Sequence, residues 1–315
     1  MRLLRTSALA LFLVGCLSLT VFSWQSKLEG TWNLTEVAGS RSYASWLKIE
    51  SKGSGWTGLY LHRGGHPMPA QVEIDGNSLK VQMLPESDTP TRPDTKFPTL
   101  TGKLENGKLT GTGTDFRGNE FTWTGDRAPD RMEGSNRNVK WGEPIKLFDG
   151  KDLNGWETIG NRESQWKAVN GILENLGSGA NIRTVKTFRD FKLHVEWKIP
   201  KGSNSGIYLR GRYETQVADD YGKEPFPRCV GGIYGQITPT VNPAIPAGEW
   251  NTVDVTLVGY RVTLVVNGKK SVDGKLLPGI TGGALDANES APGPIMLQGD
   301  HGPVSYRNIV LTPAE

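Results

Sequence analysis

The sequence contains only two cysteines, Cys16 and Cys229, among its 315 residues. An internal network of disulfides is therefore excluded, and the folded part must be held together by the burial of apolar side chains. The net charge is also small, because the 36 lysines and arginines nearly balance the 33 aspartates and glutamates to give +3, and lysine and arginine form no run. Nothing here points to a nucleic-acid partner. A dinucleotide-binding glycine fingerprint is missing as well, so oxidation by a bound nicotinamide cofactor is not expected.

A long apolar run occurs only near the N-terminus. Residues 1–5 contain two arginines, and residues 8–24 carry no charge, which predicts an export signal over residues 1–24. Two cleavage sites remain open: Leu13-Val-Gly-Cys16 matches a bacterial lipobox, in which Cys16 would be lipidated, whereas cleavage after Ser23 would release an ordinary secreted protein. We expect an exported protein that is periplasmic, on the cell surface or extracellular, and that meets a membrane only through a lipid on Cys16.

The rest of the sequence has features typical of β-structure. It contains 40 glycines, ten tryptophans and eight tyrosines, and no segment has a convincing helical pattern. In residues 27–127, short alternating segments are separated by turn signals such as Asp75-Gly76, which predicts a small up-and-down β-barrel. Residues 128–142 are polar, contain Pro129 and Gly134, and show no periodicity, which predicts a linker.

The segment Phe191-Lys-Leu-His-Val-Glu-Trp-Lys-Ile199 has the clearest strand pattern. Its odd-numbered residues are all apolar and its even-numbered residues are all polar, so one face is buried and the other is wet. Similar segments follow at 205–217, 250–266 and 304–311. Many short strands separated by turn signals predict a β-sandwich or jelly roll over residues 143–315. The whole protein is therefore expected to be all-β.

Several motifs in this second part resemble those of one family. Ile145-Lys-Leu-Phe-Asp-Gly-Lys-Asp-Leu-Asn-Gly-Trp156 is similar to the opening signature of the 3-keto-disaccharide hydrolase domain family. Ser203-Asn-Ser-Gly-Ile-Tyr-Leu-Arg-Gly211 with Tyr213-Glu-Thr-Gln-Val217 resembles its central motif, and further matches follow in family order. Near the end, Leu297-Gln-Gly-Asp-His-Gly302 is one glycine longer than an alternative form, which leaves the direction of His301 open.

The resemblance implies a concanavalin A-like jelly roll and an enzyme that cleaves glycosides already oxidised to a ketone at C3 of the sugar. Such a ketone acidifies the hydrogen at C2, so a base can remove it, the C1 substituent can leave, and water can add back. This chemistry needs a base, a donor facing the enolate oxygen and an acid for the leaving group. It does not need the paired carboxylates of ordinary glycosidases.

The parity of the central hairpin selects the candidate site residues. If a two-residue turn lies at Gly211-Arg212, the even-numbered residues around it are expected to share one face. In this hypothesis Arg210 stabilises the enolate, Glu214 or His301 is the base, and Tyr208 donates a hydrogen bond. The predicted substrate-binding residues are Glu196, Asn204, Gln216 and Gln298.

Simpler interpretations stand beside these. Arg210 and Glu214 could form a structural cross-strand ion pair, and Glu196 could merely be exposed on its strand. A different class of function is a non-catalytic carbohydrate-binding module at the cell surface, which would present a flat aromatic platform instead of a closed pocket. A conventional endo-glucanase on the same fold would need a second carboxylate near Glu214-Thr-Gln216, which the sequence does not provide.

The expected partners follow from the proposed chemistry. The substrate would be an oligosaccharide or glycoside, and a separate sugar 3-oxidoreductase would have to supply the ketone. The sequence does not identify a cofactor with certainty. Binding of a divalent cation remains an alternative, because Asp219-Asp220 could bind calcium. The favoured interpretation of this pair is a solvated loop.

Overall fold

The computed structural model describes residues 27–86 and 95–315. The predicted export signal, including Cys16, lies outside the described residues. Contacts divide the chain into two compact units. Of the described residues, those up to His62 and those within Pro67–Ala128 form the first unit, and Arg63–His66 with Pro129–Glu315 form the second. Within the described residues, no helix has the length and apolar character that crossing a membrane would require.

The first unit is a closed antiparallel barrel of eight strands in sequential order, in which the first strand also pairs with the last. The predicted β-barrel is thereby confirmed. Its strands are β1 (Gly30–Ala38), β2 (Arg41–Lys52), β3 (Gly55–Leu61), β4 (Met68–Asp75), β5 (Ser78–Met83), β6 (Thr99–Glu105), β7 (Lys108–Thr114) and β8 (Glu120–Arg127).

Apolar side chains fill the barrel, and a buried carboxyl group lies among them. Trp32, Leu34 and Trp123 belong to the core, but Glu36 is also fully buried. The Glu36 carboxylate lies 2.9 Å from Nδ1 of His62 and accepts a 2.6 Å hydrogen bond from the Tyr60 hydroxyl. Burial alone would raise the pKa of Glu36, but the hydrogen bonds and charge of His62, with the Tyr60 hydroxyl, outweigh burial and hold it below its usual range.

The second unit contains thirteen strands: β9 (Ile145–Lys146), β10 (Trp156–Ile159), β11 (Trp166–Val169), β12 (Ile172–Asn175), β13 (Asn181–Thr184), β14 (Phe191–Lys198), β15 (Asn204–Leu209), β16 (Tyr213–Ala218), β17 (Asn251–Val258), β18 (Arg261–Val266), β19 (Lys269–Leu276), β20 (Met296–Leu297) and β21 (Val304–Pro313). They form a five-stranded sheet in the order β10-β13-β20-β15-β16. An eight-stranded sheet has the order β11-β12-β21-β14-β17-β18-β19, with β9 beside β21.

The two sheets form a sandwich, as the sequence predicted. Phe191 and Trp197 on β14 are buried, in agreement with the alternation of that strand. Ser205 on β15 lies 2.9 Å from the Tyr306 hydroxyl on β21, which places the two sheets face to face at this point. Both faces of β15 and β16 are buried. The even-numbered side chains of these strands therefore lie under loops instead of in solvent.

The hairpin between β15 and β16 differs from its prediction in one respect. Its turn is centred on Arg210 and Gly211, whose φ angles are 53° and 65°, and Arg212 is an additional residue before β16. Three residues therefore separate the last pair, Leu209 and Tyr213. The predicted two-residue turn at Gly211-Arg212 is wrong. The odd loop length is what pairs even-numbered residues with one another, so Tyr208 lies opposite Glu214.

Residues 129–142, where a linker is predicted, lie within the second unit. They contain a turn around 131–136 and a single bridge between Trp141 and Ala314. The side chain of Arg131 makes two contacts with the carboxylate of Glu289. Part of this polar segment is thus attached to the sandwich by specific charged contacts.

We expect Glu36→Gln to destabilise the barrel by about 1–3 kcal/mol at pH 7, because a buried hydrogen-bonded charge is lost. The pKa of Glu36 is lower in the folded than in the unfolded state, so its contribution is present above pH 4.5 and is lost as the pH falls through the folded pKa. Urea unfolding of wild type and variant at pH 7 and pH 3 measures both effects.

The matched control is Glu50→Gln, which removes an exposed carboxylate paired with Lys48. Its effect should stay below about 0.5 kcal/mol. Equal stabilities of Glu36→Gln and wild type at pH 7 would contradict a stabilising role for this buried group.

Candidate active site

The even-numbered face of β15 and β16 borders a cavity of about 260 Å³. Because ligand pockets commonly measure about 300–1,000 Å³, this volume suits a small ligand. The lining residues come from seven parts of the second unit: Gly64, Gly65, Asn181, Asn204, Tyr208, Glu214, Tyr234, Gly282, Gly283, Gln298, Asp300 and His301.

Glu214 is the central ionisable group of this cavity. The residue is 4% exposed, and burial raises the pKa of its carboxyl to about 8. The hydrogen bond from Tyr208 and the charge of His301 act in the opposite direction without cancelling burial. A carboxyl with this pKa exchanges protons near neutral pH, which is the property required of a general acid or base.

The Tyr208 hydroxyl supports Glu214 in both protonation states. Its oxygen lies 2.9 Å from Oε2 of Glu214 and 2.7 Å from the carbonyl oxygen of Gly282. A tyrosine has one proton to donate, and a carbonyl oxygen can only accept. When Glu214 is charged, it accepts a hydrogen bond from the Tyr208 hydroxyl. When Glu214 is protonated, it can donate to the tyrosine oxygen while Tyr208 donates to Gly282.

The local sequence explains how this carboxyl is held. A Cβ on Gly206 would lie 2.4 Å from Oε1 of Glu214, so only glycine leaves room for the carboxyl on the neighbouring strand. The backbone N–H of Glu214 donates to Oγ1 of Thr281 at 3.0 Å, and its carbonyl accepts from the N–H of Tyr234 at 3.0 Å. These contacts on either side fix the backbone that carries Glu214.

His301 lies at the rim of the cavity, and its side chain is 46% exposed. Its Nδ1 is 2.7 Å from Oδ1 of Asp300. This hydrogen bond raises the pKa of His301 against the opposing effect of burial, and it lowers the pKa of Asp300. Since the carboxylate fixes one ring nitrogen, the other nitrogen is available for proton transfer. The direction of His301, which the sequence left open, is toward the same cavity as Glu214.

The loop that carries His301 is anchored by polar contacts. The N–H of Gly299 donates to Oδ1 of Asn181 at 2.7 Å, and the Asn175 side chain donates to the carbonyls of Gly299 and Gly302. A Cβ on Gly299 would lie 2.6 Å from Nε1 of Trp166. The extra glycine of this motif therefore lets the loop pass close to Trp166.

Two buried amide oxygens in the cavity wall have no hydrogen-bond partner in the protein. They are Oδ1 of Asn204 and Oε1 of Gln298. A buried polar atom that lacks a partner is destabilising and is rare in native proteins. Both oxygens can accept hydrogen bonds from hydroxyl groups of a ligand, and substrate binding by these two residues stays a prediction.

The structure places Arg210 outside this cavity. Its guanidinium is buried and donates to the Asp190 carboxylate at 3.0 Å and to the carbonyls of Arg189 and Gly259. It lines a separate cavity of about 390 Å³ together with Tyr260. The turn is the cause, because the left-handed backbone at Arg210 directs the side chain away from the face that carries Glu214. Two expectations for Arg210 are therefore wrong. It does not lie opposite the expected enolate, and its ion pair is with Asp190 instead of Glu214.

Two predicted substrate-binding residues also lie outside the cavity wall. Glu196 on β14 belongs to the eight-stranded sheet and accepts hydrogen bonds from Arg307 and Asn308 at 2.6 Å each. Gln216 lies opposite Gly206, and its Oε1 accepts from the N–H of Val217 at 3.2 Å. Glu196 is thus hydrogen-bonded to residues of its own sheet. Gln216 lies next to the cavity but does not line it.

Sequence analysis missed Asn181, Tyr234 and Asp300. Asp300 precedes His301 in the motif Leu297-Gln-Gly-Asp-His-Gly302, so it had a detectable signal. Tyr234 lies in Gly232-Ile-Tyr-Gly-Gln236, which is one of the further stretches similar to the family and was a second detectable signal. Asn181 begins β13 and reaches the site only through the sheet order. Among the described residues, no group of three or more His, Cys, Asp or Glu side chains is arranged to hold a metal ion.

Residues 143–312 match the family model of the 3-keto-alpha-glucoside-1,2-lyase-like domain. This match covers more than half of the chain. The protein belongs to that family. The resemblance found in the sequence is therefore confirmed, and Glu214, Tyr208 and His301 all lie within the matched residues.

A curated relative is the 3-keto-disaccharide hydrolase of Bacteroides thetaiotaomicron, which is 28% identical over 159 residues. The match covers 38% of this chain and 54% of the relative, so the chain spans about half the length of that protein. A candidate glycosyl hydrolase from Parabacteroides distasonis is 30% identical, with 56% of this chain and 90% of that chain covered and a TM-score of 0.47. A Bacillus licheniformis β-glucanase is 14% identical, with 57% and 100% covered and a TM-score of 0.36.

We expect Glu214→Gln to change how the stability of the second unit depends on pH. The folded pKa of about 8 lies above the ordinary value of 4.5 for a glutamate, so folding favours the protonated carboxyl and wild type loses stability as the pH rises toward 8. Between pH 5 and pH 8.5 the loss is of the order of 4 kcal/mol. Unfolding by urea at pH 5 and pH 8.5 should show this slope in wild type and a weaker slope in the variant.

The control is Glu157→Gln, because Glu157 is a half-exposed carboxylate paired with Arg183. It should leave the slope of wild type unchanged. The same pH dependence in Glu214→Gln and wild type would contradict the raised pKa.

We expect Arg210→Ala to act on folding. Loss of the guanidinium deprives the buried Asp190 of one partner, which destabilises by about 3–5 kcal/mol, whereas Arg183→Ala at an exposed ion pair should change stability by less than about 1 kcal/mol. Thermal unfolding measures both variants. A marked shift of the Glu214 titration in folded Arg210→Ala would show that Arg210 belongs to the active site after all.

Proposed function

We propose that this protein cleaves glycosides that carry a ketone at C3 of the sugar. The observation that carries the proposal is the buried carboxyl of Glu214, with a pKa of about 8, in a small cavity that also contains a histidine–carboxylate pair. Family membership and the name of the Bacteroides relative support the same substrate class. A sugar with a C3 ketone has an acidic C2 hydrogen, and an enclosed base near neutral pH can remove it.

In the proposed mechanism the oxidised ring lies deep in the cavity and the leaving group points to the rim. Glu214 lies at the buried end, so its ionised form removes the proton from C2. The electron pair of the C2–H bond forms the enolate. Its oxygen accepts hydrogen bonds from the side-chain NH2 groups of Asn204 and Gln298 once these amides turn their nitrogens toward it, and such neutral donors stabilise the developing charge.

The elimination then proceeds at C1. The enolate re-forms the ketone, a double bond forms between C1 and C2, and the bond from C1 to the leaving oxygen breaks. His301, held as the imidazolium by Asp300, gives its proton to that oxygen. Addition of water to C1, with return of the proton from Glu214 to C2, completes a net hydrolysis. The proton count balances over the cycle once His301 is reprotonated from water.

A non-catalytic sugar-binding module is less well supported by the geometry. A lectin-like platform would present flat, exposed aromatic rings, whereas this cavity places a buried carboxyl and a histidine around a small volume. Tyr208 is fully buried and directs its hydroxyl to Glu214 instead of offering its ring to a sugar. The arrangement is therefore that of a site for proton transfer.

The proposal includes the setting of the reaction. The N-terminal sequence indicates export, with Cys16 lipidated in one of the two cleavage schemes. The substrate must be made by a separate sugar 3-oxidoreductase, because the chain carries no dinucleotide fingerprint of its own.

The test is cleavage of a 3-keto-disaccharide, with the unoxidised disaccharide beside it, in deuterated water. Wild type should release sugar from the keto substrate only and should exchange its C2 hydrogen for deuterium. Glu214→Gln should lose both exchange and cleavage by at least about 100-fold, the size expected for general-base catalysis. His301→Asn should retain exchange and lose cleavage, because it removes only the acid for the leaving group.

Glu157→Gln serves again as the control and should match wild type in both reactions. Cleavage of the unoxidised disaccharide at the same rate would refute the ketone requirement. Binding of the keto substrate without exchange or cleavage in wild type would refute the enzyme and leave a sugar-binding module.

A further inference from the structure

Four residues distant in sequence from the sandwich, Arg63–His66, belong to the second compact unit. They lie between β3 and β4 in the chain, and nothing in their sequence indicates a role at a sugar site. Gly64 and Gly65 nevertheless line the same cavity as Tyr208 and Glu214. The family model begins only at residue 143, so it does not include this segment.

The segment is held at the cavity by close backbone contacts. The N–H of Gly283 donates to the carbonyl of Arg63 at 2.9 Å. A Cβ on Gly282 would lie 2.3 Å from the carbonyl oxygen of Gly65, so a side chain there could not be accommodated without a shift of the backbone. Glycine at this position is thus required for the approach of the segment.

A second contact fixes the other end of the segment. A Cβ on Gly235 would lie 2.3 Å from Cβ of His66, and Gly235 has a φ of 65°, which disfavours other residues. The Arg228 guanidinium lies 3.3 Å from Nε2 of His66. The segment is therefore positioned from two sides, by residues 282–283 and by residues 228 and 235.

The contact at Gly282 also connects the segment to the catalytic groups. The carbonyl of Gly282 accepts the 2.7 Å hydrogen bond from Tyr208, and Tyr208 in turn contacts Glu214. A displacement of Gly65 would move Gly282 and change this hydrogen bond. The segment thus borders the reacting end of the cavity as well as its rim.

We propose that Arg63–His66 forms the part of the pocket that receives the leaving group, and so sets which aglycones are accepted. The inference rests on the proposed function for the nature of the ligand. Glu214 is buried, whereas Gly64 and Gly65 are exposed, as is His301, the acid for the leaving oxygen. A cavity of about 260 Å³ is small, so a second sugar must extend across the rim where these glycines lie. Their lack of side chains leaves space for it.

Gly64→Leu provides the test. A Cβ on Gly64 meets no atom within 4 Å, and its φ is not in the left-handed region, so the variant should fold. The added side chain fills space at the rim. We expect kcat/KM for a 3-keto-disaccharide to fall at least tenfold, while kcat/KM for methyl 3-keto-glucoside, which has a small leaving group, falls less than threefold.

The matched control is Gly55→Leu, because Gly55 is also exposed, has a φ outside the left-handed region and does not line the cavity. It should leave both substrates unaffected. Equal losses on the two substrates in Gly64→Leu, or no loss on either, would overturn the inference. Circular dichroism and the unfolding midpoint confirm that each variant is folded.

The experiment separates this inference from the proposed function. If wild type cleaves neither keto substrate, the proposed function fails, and calorimetry with the same two compounds decides the inference. Weaker binding of the disaccharide alone in Gly64→Leu would support the segment as a wall of a sugar pocket. Unchanged binding, or no binding to wild type, would overturn it.

Discussion

The site depends on one unfavourable placement, the burial of the Glu214 carboxyl under the five-stranded sheet. Removing a carboxyl from water disfavours its charged form, and no neighbouring arginine or lysine offsets this within the described contacts of Glu214. The surrounding structure serves to hold that group in place. Gly206 leaves room for it, Tyr208 binds it in either protonation state, and Thr281 and Tyr234 fix its backbone.

The same residue type behaves in the opposite way in the barrel. Glu36 is as deeply buried as Glu214, but His62 lies 2.9 Å away and Tyr60 donates to it, so its pKa falls below the usual range. Glu214 has a tyrosine, while the charge of His301 acts on it less strongly than burial, and its pKa rises. The pKa values of the two carboxyls therefore shift in opposite directions because the contacts with His62 and Tyr60 outweigh burial at Glu36, whereas the contacts of Glu214 do not. Functional sites commonly retain such destabilising groups because their chemistry needs them.

Two features of the backbone control which side chains reach the cavity. The left-handed turn at Arg210 and Gly211, with the extra residue Arg212, aligns Tyr208 with Glu214 and turns Arg210 toward Asp190. The glycines at 235, 282 and 283 allow the segment Arg63–His66 to approach the same cavity. In both places the geometry of a loop decides which residues line the cavity. The strands themselves determine only which side chains point to the same side of the sheet.

The sequence by itself determined the all-β class, the barrel, the sandwich and the family. These follow from the local alternation of polar and apolar residues, from turn residues and from motifs of consecutive residues, all of which are local features of the sequence. It also proposed Tyr208, Glu214, Asn204, Gln298 and His301 from their motifs, although the face shared by Tyr208 and Glu214 comes from a three-residue loop and not from the predicted two-residue turn. Tertiary structure alone decided that Arg210 is structural, that Asn181 and residues 63–66 border the cavity, and that Glu214 has a raised pKa. Burial, loop length and contacts between distant segments set these properties, and none of the three is encoded in a local pattern.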